Sequence, residues 1–371
     1  MEQKKLGFGL MRLPVLDPKD TTKIDMAQME EMVDTFLERG FTYFDTAYVY
    51  HKFQSEIAMR EALVKRHPRE SFTVATKLPV IRLEAEGDQE RIFDEQLEKC
   101  GVTYFDYYLL HNMAKKSYAN AEKFDSFGFA AAKKAEGKIK NLGFSFHEKA
   151  DFLDEILTAH PEVDFVQLQI NYLDWENESV QSRKCWEVAR KHGKKIIIME
   201  PVKGGALANV PDAVKKLLAD CHPDWSPASW AIRFAASLEG VIMVLSGMSN
   251  TEQLSENTTF MADFEPLGEK ELAVLKEAAA IISQFEKIPC TACQYCVDGC
   301  PQQIPIPEFF AMYNEEKPTL DTGFSENEAY LKLAENRGKA SSCIACGQCE
   351  EACPQHIEII DCLKKVKAVF E

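Results

Sequence analysis

Two cysteine runs near the C-terminal end of this 371-residue chain limit its folding more than any other feature. In each run four cysteines are separated by two, two and three residues, and a proline follows the last one. The two runs are Cys290, Cys293, Cys296 and Cys300, and Cys343, Cys346, Cys349 and Cys353. Three thiolates at this spacing fit one tight loop around a metal centre, and the fourth lies beyond the reach of that loop. We therefore expect a small domain that wraps metal centres.

The spacing resembles that of the bacterial two-cluster ferredoxins, in which the fourth cysteine of each run binds the neighbouring 4Fe–4S cluster. We therefore predict two 4Fe–4S clusters with crossed ligands. One cluster would be held by Cys290, Cys293, Cys296 and Cys353, and the other by Cys343, Cys346, Cys349 and Cys300. Zinc sites and disulfides are the alternatives, but zinc ligands usually come in two pairs. The 42-residue connector contains two helix-like segments, PIPEFFAMYNEE and ENEAYLKLAENRG, which favour a mainly helical ferredoxin-type domain.

Upstream of the cysteines, short apolar runs alternate with longer segments of helical period from Gly7 to about Ile282. The eight runs are GFGLMRL, TYFDTA, FTVATK, DYYLLHN, KNLGFSF, FVQLQIN, KIIIMEP and VIMVLSG. Eight such units predict an α/β fold, a (β/α)₈ TIM barrel. A doubly wound open sheet is the alternative, but the early strands lack the Gly-rich turn typical of that fold. We place the barrel at residues 1–284 and the 4Fe–4S domain at residues 285–371.

Acidic residues outnumber basic ones, 59 against 43, which leaves a formal net charge of −16. Such a surface disfavours nucleic acid and anionic membranes as partners, and suits a soluble protein or one that binds a basic partner. The N-terminal segment MEQKKLGFGLMRLP is too interrupted for a signal peptide, and no stretch of 18 apolar residues occurs. We therefore expect a cytoplasmic protein, in which disulfides are rare.

In a TIM barrel, chemistry takes place at the C-terminal ends of the strands. Three consecutive predicted strands offer polar groups there: Asp45 and Tyr50, then Lys77, then His111. Taken singly, each is more typical of a turn, a solvated surface or a structural histidine. Together they fit proton donation to a carbonyl. A free tyrosine has a pKa of about 10, a nearby Lys⁺ lowers it, a carboxylate holds that Lys⁺, and a histidine can orient the carbonyl oxygen.

The segments FDTAYVYH, VATKLP and YYLLHN resemble the motifs of the aldo/keto reductase superfamily, and the resemblance spans roughly residues 5–282. It implies that Tyr50 is the general acid, that Lys77 tunes it, that Asp45 partners Lys77, and that His111 orients the carbonyl. The spacing of five residues from Asp45 selects Tyr50 as the acid.

The resemblance also implies a nicotinamide cofactor, NADP(H) or NAD(H), bound without a Rossmann fold. Ser145 in GFSFH and Gln167 in FVQLQIN match positions that contact the carboxamide, and Phe146 stands where the family usually has Asn. The segment SGMSNTEQLSEN resembles the loop and helix that bind the cofactor's phosphates and adenine. It offers Ser246, Gly247, Met248, Ser249, Asn250, Gln253 and Asn257.

Two departures from the family pattern bear on the cofactor. Met199 stands where many members stack an aromatic ring on the nicotinamide. Gly247 and Gln253 stand where many members have Lys or Arg for the 2′-phosphate, so the choice between NADH and NADPH stays open. Lys203 and Arg233 are the cations that could serve instead.

The two predicted halves do not combine simply, because hydride transfer moves two electrons and a 4Fe–4S cluster accepts one. A flavin could couple them, but the sequence offers no convincing flavin signature. The leading hypothesis is an NAD(P)H-dependent reductase of a small carbonyl (an aldehyde, ketone or quinone) with an attached electron-transfer domain. The alternatives are an electron-transfer module that binds a redox protein partner, and a redox sensor. In a further alternative the clusters only stabilise their domain.

Overall fold

Eight parallel strands form a closed barrel in which each strand pairs with its sequence neighbours and the last pairs with the first. The computed structural model describes residues 4–17, 20–284, 287–315 and 325–371. The strands are β1 (Leu6–Gly9), β2 (Tyr43–Asp45), β3 (Thr73–Leu78), β4 (Phe105–Leu110), β5 (Ile139–Phe146), β6 (Phe165–Gln169), β7 (Lys195–Met199) and β8 (Val241–Ser246). Each of the eight apolar runs overlaps one strand, so the predicted (β/α)₈ barrel is confirmed and the doubly wound sheet is excluded.

Helices separate the strands and pack outside them. They are α1 (Met26–Glu38), α2 (Ser55–Met59), α3 (Asp88–Cys100), α4 (Lys115–Lys123), α5 (Ser126–Ala135), α6 (Ala150–Ala159), α7 (Ser182–Lys191), α8 (Asp212–Cys221), α9 (Pro227–Ser237), α10 (Thr251–Ala262) and α11 (Glu269–Ile282). Local chemistry defines their ends. Ser226 caps α9 by accepting a hydrogen bond from the Ser229 amide, and Pro227 occupies the first turn, where its missing N–H costs nothing.

Along β2, β3 and β6 the inward-facing side chains change from apolar to polar toward the C-terminal end of the strand. The apolar layer consists of Tyr43, Ala75, Leu109, Phe165, Ile197, Met243 and Leu245. Tyr107 packs edge-on against both Tyr43 and Phe165, with ring centroids 5.1 and 5.2 Å apart. Gly143 makes room for this layer, since a Cβ there would lie 2.5 Å from the Phe165 ring. The layer fills the barrel interior, and the polar residues Asp45, Lys77 and Gln167 lie two residues further along β2, β3 and β6.

The C-terminal region is mainly helical, as predicted. Its helices are α12 (Tyr295–Asp298), α13 (Ile306–Glu315), α14 (Ser325–Leu333), α15 (Gln348–Glu351) and α16 (Ile359–Phe370). Tyr330 of α14 is the centre of the core, because its ring stacks on Phe309 of α13 at 4.6 Å and on Phe370 of α16 at 5.5 Å. The two short helices α12 and α15 each begin within a cysteine run, so the runs are built into the helical core.

Backbone contacts divide the chain into two units, Met1–Val202 with Leu218–Lys276, and Lys203–Leu217 with Glu277–Glu371. The segment after β7 belongs to the second unit because Gly204 lies against Thr291: a Cβ on Gly204 would be 2.7 Å from the Thr291 Cβ. None of the helices in the described parts of the chain combines the length and apolar character that a membrane-spanning segment needs.

Candidate active site

The structure brings the four predicted catalytic side chains together at the C-terminal ends of β2, β3 and β4. Lys77 donates hydrogen bonds to Asp45 Oδ1 at 2.5 Å, to the Thr46 carbonyl at 2.8 Å and to Tyr50 Oη at 3.3 Å. The rings of Tyr50 and His111 lie edge to face, with centroids 6.0 Å apart. One ammonium group therefore links the carboxylate to the phenol, and the imidazole lies beside the phenol.

Burial determines the electrostatics of the Asp45–Lys77 pair, whose side chains are only 4% and 1% exposed. Loss of solvent raises the pKa of Asp45 and lowers the pKa of Lys77, and their mutual attraction opposes both shifts. Gln167 satisfies the second carboxylate oxygen, donating to Asp45 Oδ2 at 3.2 Å. Both carboxylate oxygens of Asp45 are thus hydrogen-bonded, and the third hydrogen bond of the Lys77 ammonium group goes to Tyr50.

His111 is held as a neutral imidazole. Burial lowers its pKa well below the ordinary value, and nearby Lys77 and His147 lower it further. Its backbone is anchored on β3, because the His111 amide donates to the Leu78 carbonyl at 2.9 Å. A neutral imidazole can donate a hydrogen bond to a carbonyl oxygen without competing with a tyrosine as the proton source.

The two predicted carboxamide-binding residues are side by side, since Ser145 of β5 and Gln167 of β6 are register partners. Ser145 Oγ accepts a hydrogen bond from the Asn112 amide at 2.8 Å, which ties the end of β5 to the loop after β4. Phe146 is buried and packs against the rings of Phe144 and Phe152 on the outer side of the strand. Phe146 therefore points to the face of β5 opposite to Ser145.

The segment predicted to bind phosphate forms a capped helix N-terminus. Asn250 caps α10 by accepting from the Gln253 amide at 2.9 Å, and the Ser249 amide donates to Gln253 Oε1 at 2.8 Å. Asn257 donates to Ser246 Oγ at 3.0 Å, joining the end of β8 to the middle of α10. The predicted residues thus form one connected structure at a helix N-terminus, which favours bound anions.

Arg233, one of the two cations considered for a 2′-phosphate, does not lie at this helix N-terminus. The Arg233 guanidinium lies 4.0 Å from the Trp225 ring centre and 5.2 Å from that of Phe260. Phe260 belongs to the last turn of α10, so Arg233 is at the opposite end of the helix. Lys203 is buried within the second unit. Met248 is buried, and Met199 ends β7 partly exposed.

The eight clustered cysteines line two cavities. One is lined by Cys290, Cys293, Cys296 and Cys353. The other is lined by Cys300, Cys343, Cys346 and Cys349. Each cavity therefore takes three cysteines from one run and the last cysteine from the other. Burial, with the neighbouring thiols adding to it, raises the pKa of Cys296, so a thiolate there requires a compensating cation.

A sequence profile of the aldo/keto reductase family matches residues 5–280. The chain belongs to this family. A profile of the 4Fe-4S dicluster domain matches residues 289–358. The barrel of this aldo/keto reductase chain is thus followed by a second, separately recognisable domain with the mainly helical architecture described above.

Relatives and solved structures agree with this assignment. An aldo-keto reductase of Mycobacterium avium is 28% identical over 248 residues, 66% of this chain and 80% of the relative. A 9,11-endoperoxide prostaglandin H2 reductase of Trypanosoma cruzi is 26% identical over 74% of this chain and 87% of its own. An aldo-keto reductase from Bacillus halodurans shares the fold with a TM-score of 0.58 at 22% identity, covering 74% of this chain and 91% of that one. A Klebsiella pneumoniae aldo/keto reductase in complex with NADP and acetate has a TM-score of 0.56 at 16% identity, covering 74% and 95%.

Two further polar side chains near the candidate site of this reductase were not predicted from the sequence. His147 directly follows β5, and its Nδ1 lies 3.4 Å from Gln169 Oε1, which orients the ring near His111. Arg12 follows β1 and flanks the α10 segment: a Cβ on Gly247 would be 3.1 Å from the Arg12 Cδ. The signal for His147 was its position immediately after a predicted strand, whereas Arg12 lies inside the predicted apolar run GFGLMRL. A lone His and a lone Arg at such positions are too common to single out.

Proposed function

We propose that the chain reduces a small carbonyl compound (an aldehyde, ketone or quinone) with NAD(P)H, using Tyr50 as the general acid. The observation that carries this proposal is the position of the Lys77 ammonium group. It is hydrogen-bonded to Asp45 and to Tyr50 Oη at the same time, and it is buried. A buried cation in contact with a phenol favours the phenolate over the phenol, which makes the phenol a stronger acid.

The roles of the other side chains follow from the same geometry. A bound nicotinamide would supply the hydride. As negative charge develops on the carbonyl oxygen, Tyr50 donates its proton to that oxygen, and Lys77 stabilises the phenolate that remains. Asp45 keeps Lys77 charged and in place. Neutral His111 donates a hydrogen bond to the same oxygen and so fixes the direction of the carbonyl.

We propose that the nicotinamide cofactor binds between the C-terminal end of β5 and the N-terminus of α10. Ser145 and Gln167 would bind the carboxamide, because they are adjacent and lie beside Asp45. The N-terminus of α10, with Asn250 and the neighbouring Arg12, would bind the phosphates. The Klebsiella structure named above holds NADP, which supports a nicotinamide dinucleotide as the cofactor class.

We further propose that each cysteine-lined cavity holds one 4Fe–4S cluster. In each cavity three thiols of one run meet the last thiol of the other run, which is the crossed grouping that holds two cubane clusters, whereas zinc ligands usually come in two pairs. Such clusters supply one-electron chemistry, so this domain would exchange electrons with a redox protein partner. We propose the domain boundary between residues 284 and 285, and a cytoplasmic location, since the chain relies on reduced thiols.

Exchanging Tyr50 for Phe tests the proposed acid. Tyr50→Phe should lower kcat for aldehyde or quinone reduction by at least about a hundredfold, because the proton source is lost, while NADPH binding measured by fluorescence titration stays within twofold. Tyr48→Phe is the matched control: its hydroxyl bonds Glu95 on α3 and not Lys77, and its activity should be near that of the wild type. Equal turnover by Tyr50→Phe and the wild type would overturn the assignment.

A further inference from the structure

We propose that Cys221, His222 and Glu271 form a binding site for a divalent metal ion of the zinc class, separate from the cysteine-lined cavities. The thiol sulfur, one imidazole nitrogen and one carboxylate oxygen all lie within 4.8 Å of one another. All three residues belong to the unit that contains the barrel. These residues lie within the range 5–280 that the aldo/keto reductase profile matches, but none of them has a role in the proposed carbonyl reduction.

The backbone presents the three donors from two helix ends. Cys221 is the last residue of α8, His222 follows it, and Glu271 lies in the first turn of α11. The His222 amide donates to the Leu218 carbonyl at 3.0 Å, and the His222 carbonyl accepts from the Trp225 amide at 3.2 Å. The chain therefore turns at His222 in a fixed conformation.

Both the imidazole and the carboxylate are held in orientation. The His222 ring stacks on Trp225, with centroids 4.0 Å apart and planes 10° apart. Glu271 Oε2 accepts from the Gly268 amide at 3.0 Å, which leaves Oε1 facing His222 Nε2 at 3.0 Å. A His–Glu ion pair explains two of the three groups, but it does not explain a thiol converging on the same point.

The donor set fits zinc. Thiolate sulfur, imidazole nitrogen and carboxylate oxygen are its usual protein ligands, and three of them with a water complete a tetrahedron. Metal–ligand bonds of about 2.0–2.3 Å place the donor atoms about 3.3–3.8 Å apart. The observed spread thus requires shifts of about 1 Å, within the rotamer freedom of a cysteine and a glutamate. The side chains of His222 and Glu271 are 32% and 19% exposed, so an ion can enter from solvent.

A bound ion would join the end of α8 to the start of α11. Because it binds the folded chain and not the unfolded one in this geometry, zinc should stabilise the barrel by mass action. The clusters are in the other unit, so their iron content should not respond to occupancy of this site.

Equilibrium dialysis of the cluster-loaded protein against zinc tests the proposal, with zinc and iron both counted by mass spectrometry. The wild type should bind one zinc ion per chain more than Cys221→Ser, His222→Asn or Glu271→Gln, at unchanged iron content. Cys185→Ala, which removes a thiol on α7, is the matched control and should retain the zinc. Thermal melting without zinc checks that each variant is folded, and only the wild type and the control should gain stability when zinc is added.

Equal zinc in the wild type and in Cys221→Ser would overturn the proposal, as would a wild type that binds none. Retention of zinc by Cys221→Ser but not by His222→Asn would reduce the site to a His–carboxylate pair and would contradict the role of the thiol.

Discussion

Lys77 shows how much a single residue of this site could be predicted and how much could not. Its position at the end of an apolar run, between two other polar strand ends, sufficed to place it beside Asp45 and His111. Two further hydrogen bonds depend on side-chain packing across the barrel. Lys77 donates one to the Thr46 carbonyl, and the Gln167 amide donates the other to Asp45. Asp45 and Gln167 are 122 positions apart, and a single sequence does not indicate that they are in contact.

Glu56 is a deeply buried acid that the sequence did not single out. It is 1% exposed, and its Oε1 accepts hydrogen bonds from Thr76 and Gln96, both at 2.7 Å. Its Oε2 has no hydrogen-bond partner among the described residues. Burial raises the pKa of Glu56 to about 7. The Gln96 amide also donates to the Lys77 carbonyl at 3.1 Å, so this acid borders the strand that carries Lys77.

The raised pKa of Glu56 predicts a pH-dependent stability. The folded state binds more protons than the unfolded state between the ordinary pKa of 4.5 and about 7. The contribution of Glu56 therefore becomes less favourable as pH rises through this window, by up to about 3 kcal/mol. Glu56→Gln should flatten the dependence and unfold at higher urea concentration than the wild type at pH 8, but not at pH 4.5. Parallel stability curves for the two proteins across this range would contradict the burial argument.

At the scale of elements, the period of two along each strand accounts for most of what was predictable. Tyr43, Ala75 and Leu109 face the interior, and two residues further along the same strands lie Asp45, Lys77 and His111. Position in the strand therefore determines both the apolar layer and the site. Arg12 is different, because it lies near the segment that follows β8 only through the pairing of β1 with β8.

The cysteine runs predict a pattern of cluster loss in double variants. Since Cys353 lines the cavity of the first run, Cys293→Ser/Cys353→Ser should damage one cluster and retain about four irons per chain. Since Cys300 lines the other cavity, Cys293→Ser/Cys300→Ser should damage both clusters and retain almost none. Iron analysis after anaerobic reconstitution measures this. The reverse ranking of the two variants would mean that each run holds its own cluster.

For the whole molecule, the sequence predicts two domains and the architecture of each. It did not predict that Lys203–Leu217 would belong to the second unit. That assignment depends on the close approach of Gly204 to Thr291, a contact between segments almost ninety residues apart. The net charge of −16 indicates a class of partner but not its binding surface, because charge totals carry no positions.

We propose that this molecule reduces its carbonyl substrate by direct hydride transfer in the barrel, and not by electrons that pass through the clusters. The measurement is a turnover with NADPH deuterated at both C4 positions, in ordinary water and without oxygen, followed by mass spectrometry of the alcohol. Direct hydride transfer predicts one deuterium on the former carbonyl carbon in the wild type, and also in a variant that has lost its clusters. An unlabelled alcohol would contradict it, because electrons routed through the clusters would acquire their hydrogen from solvent.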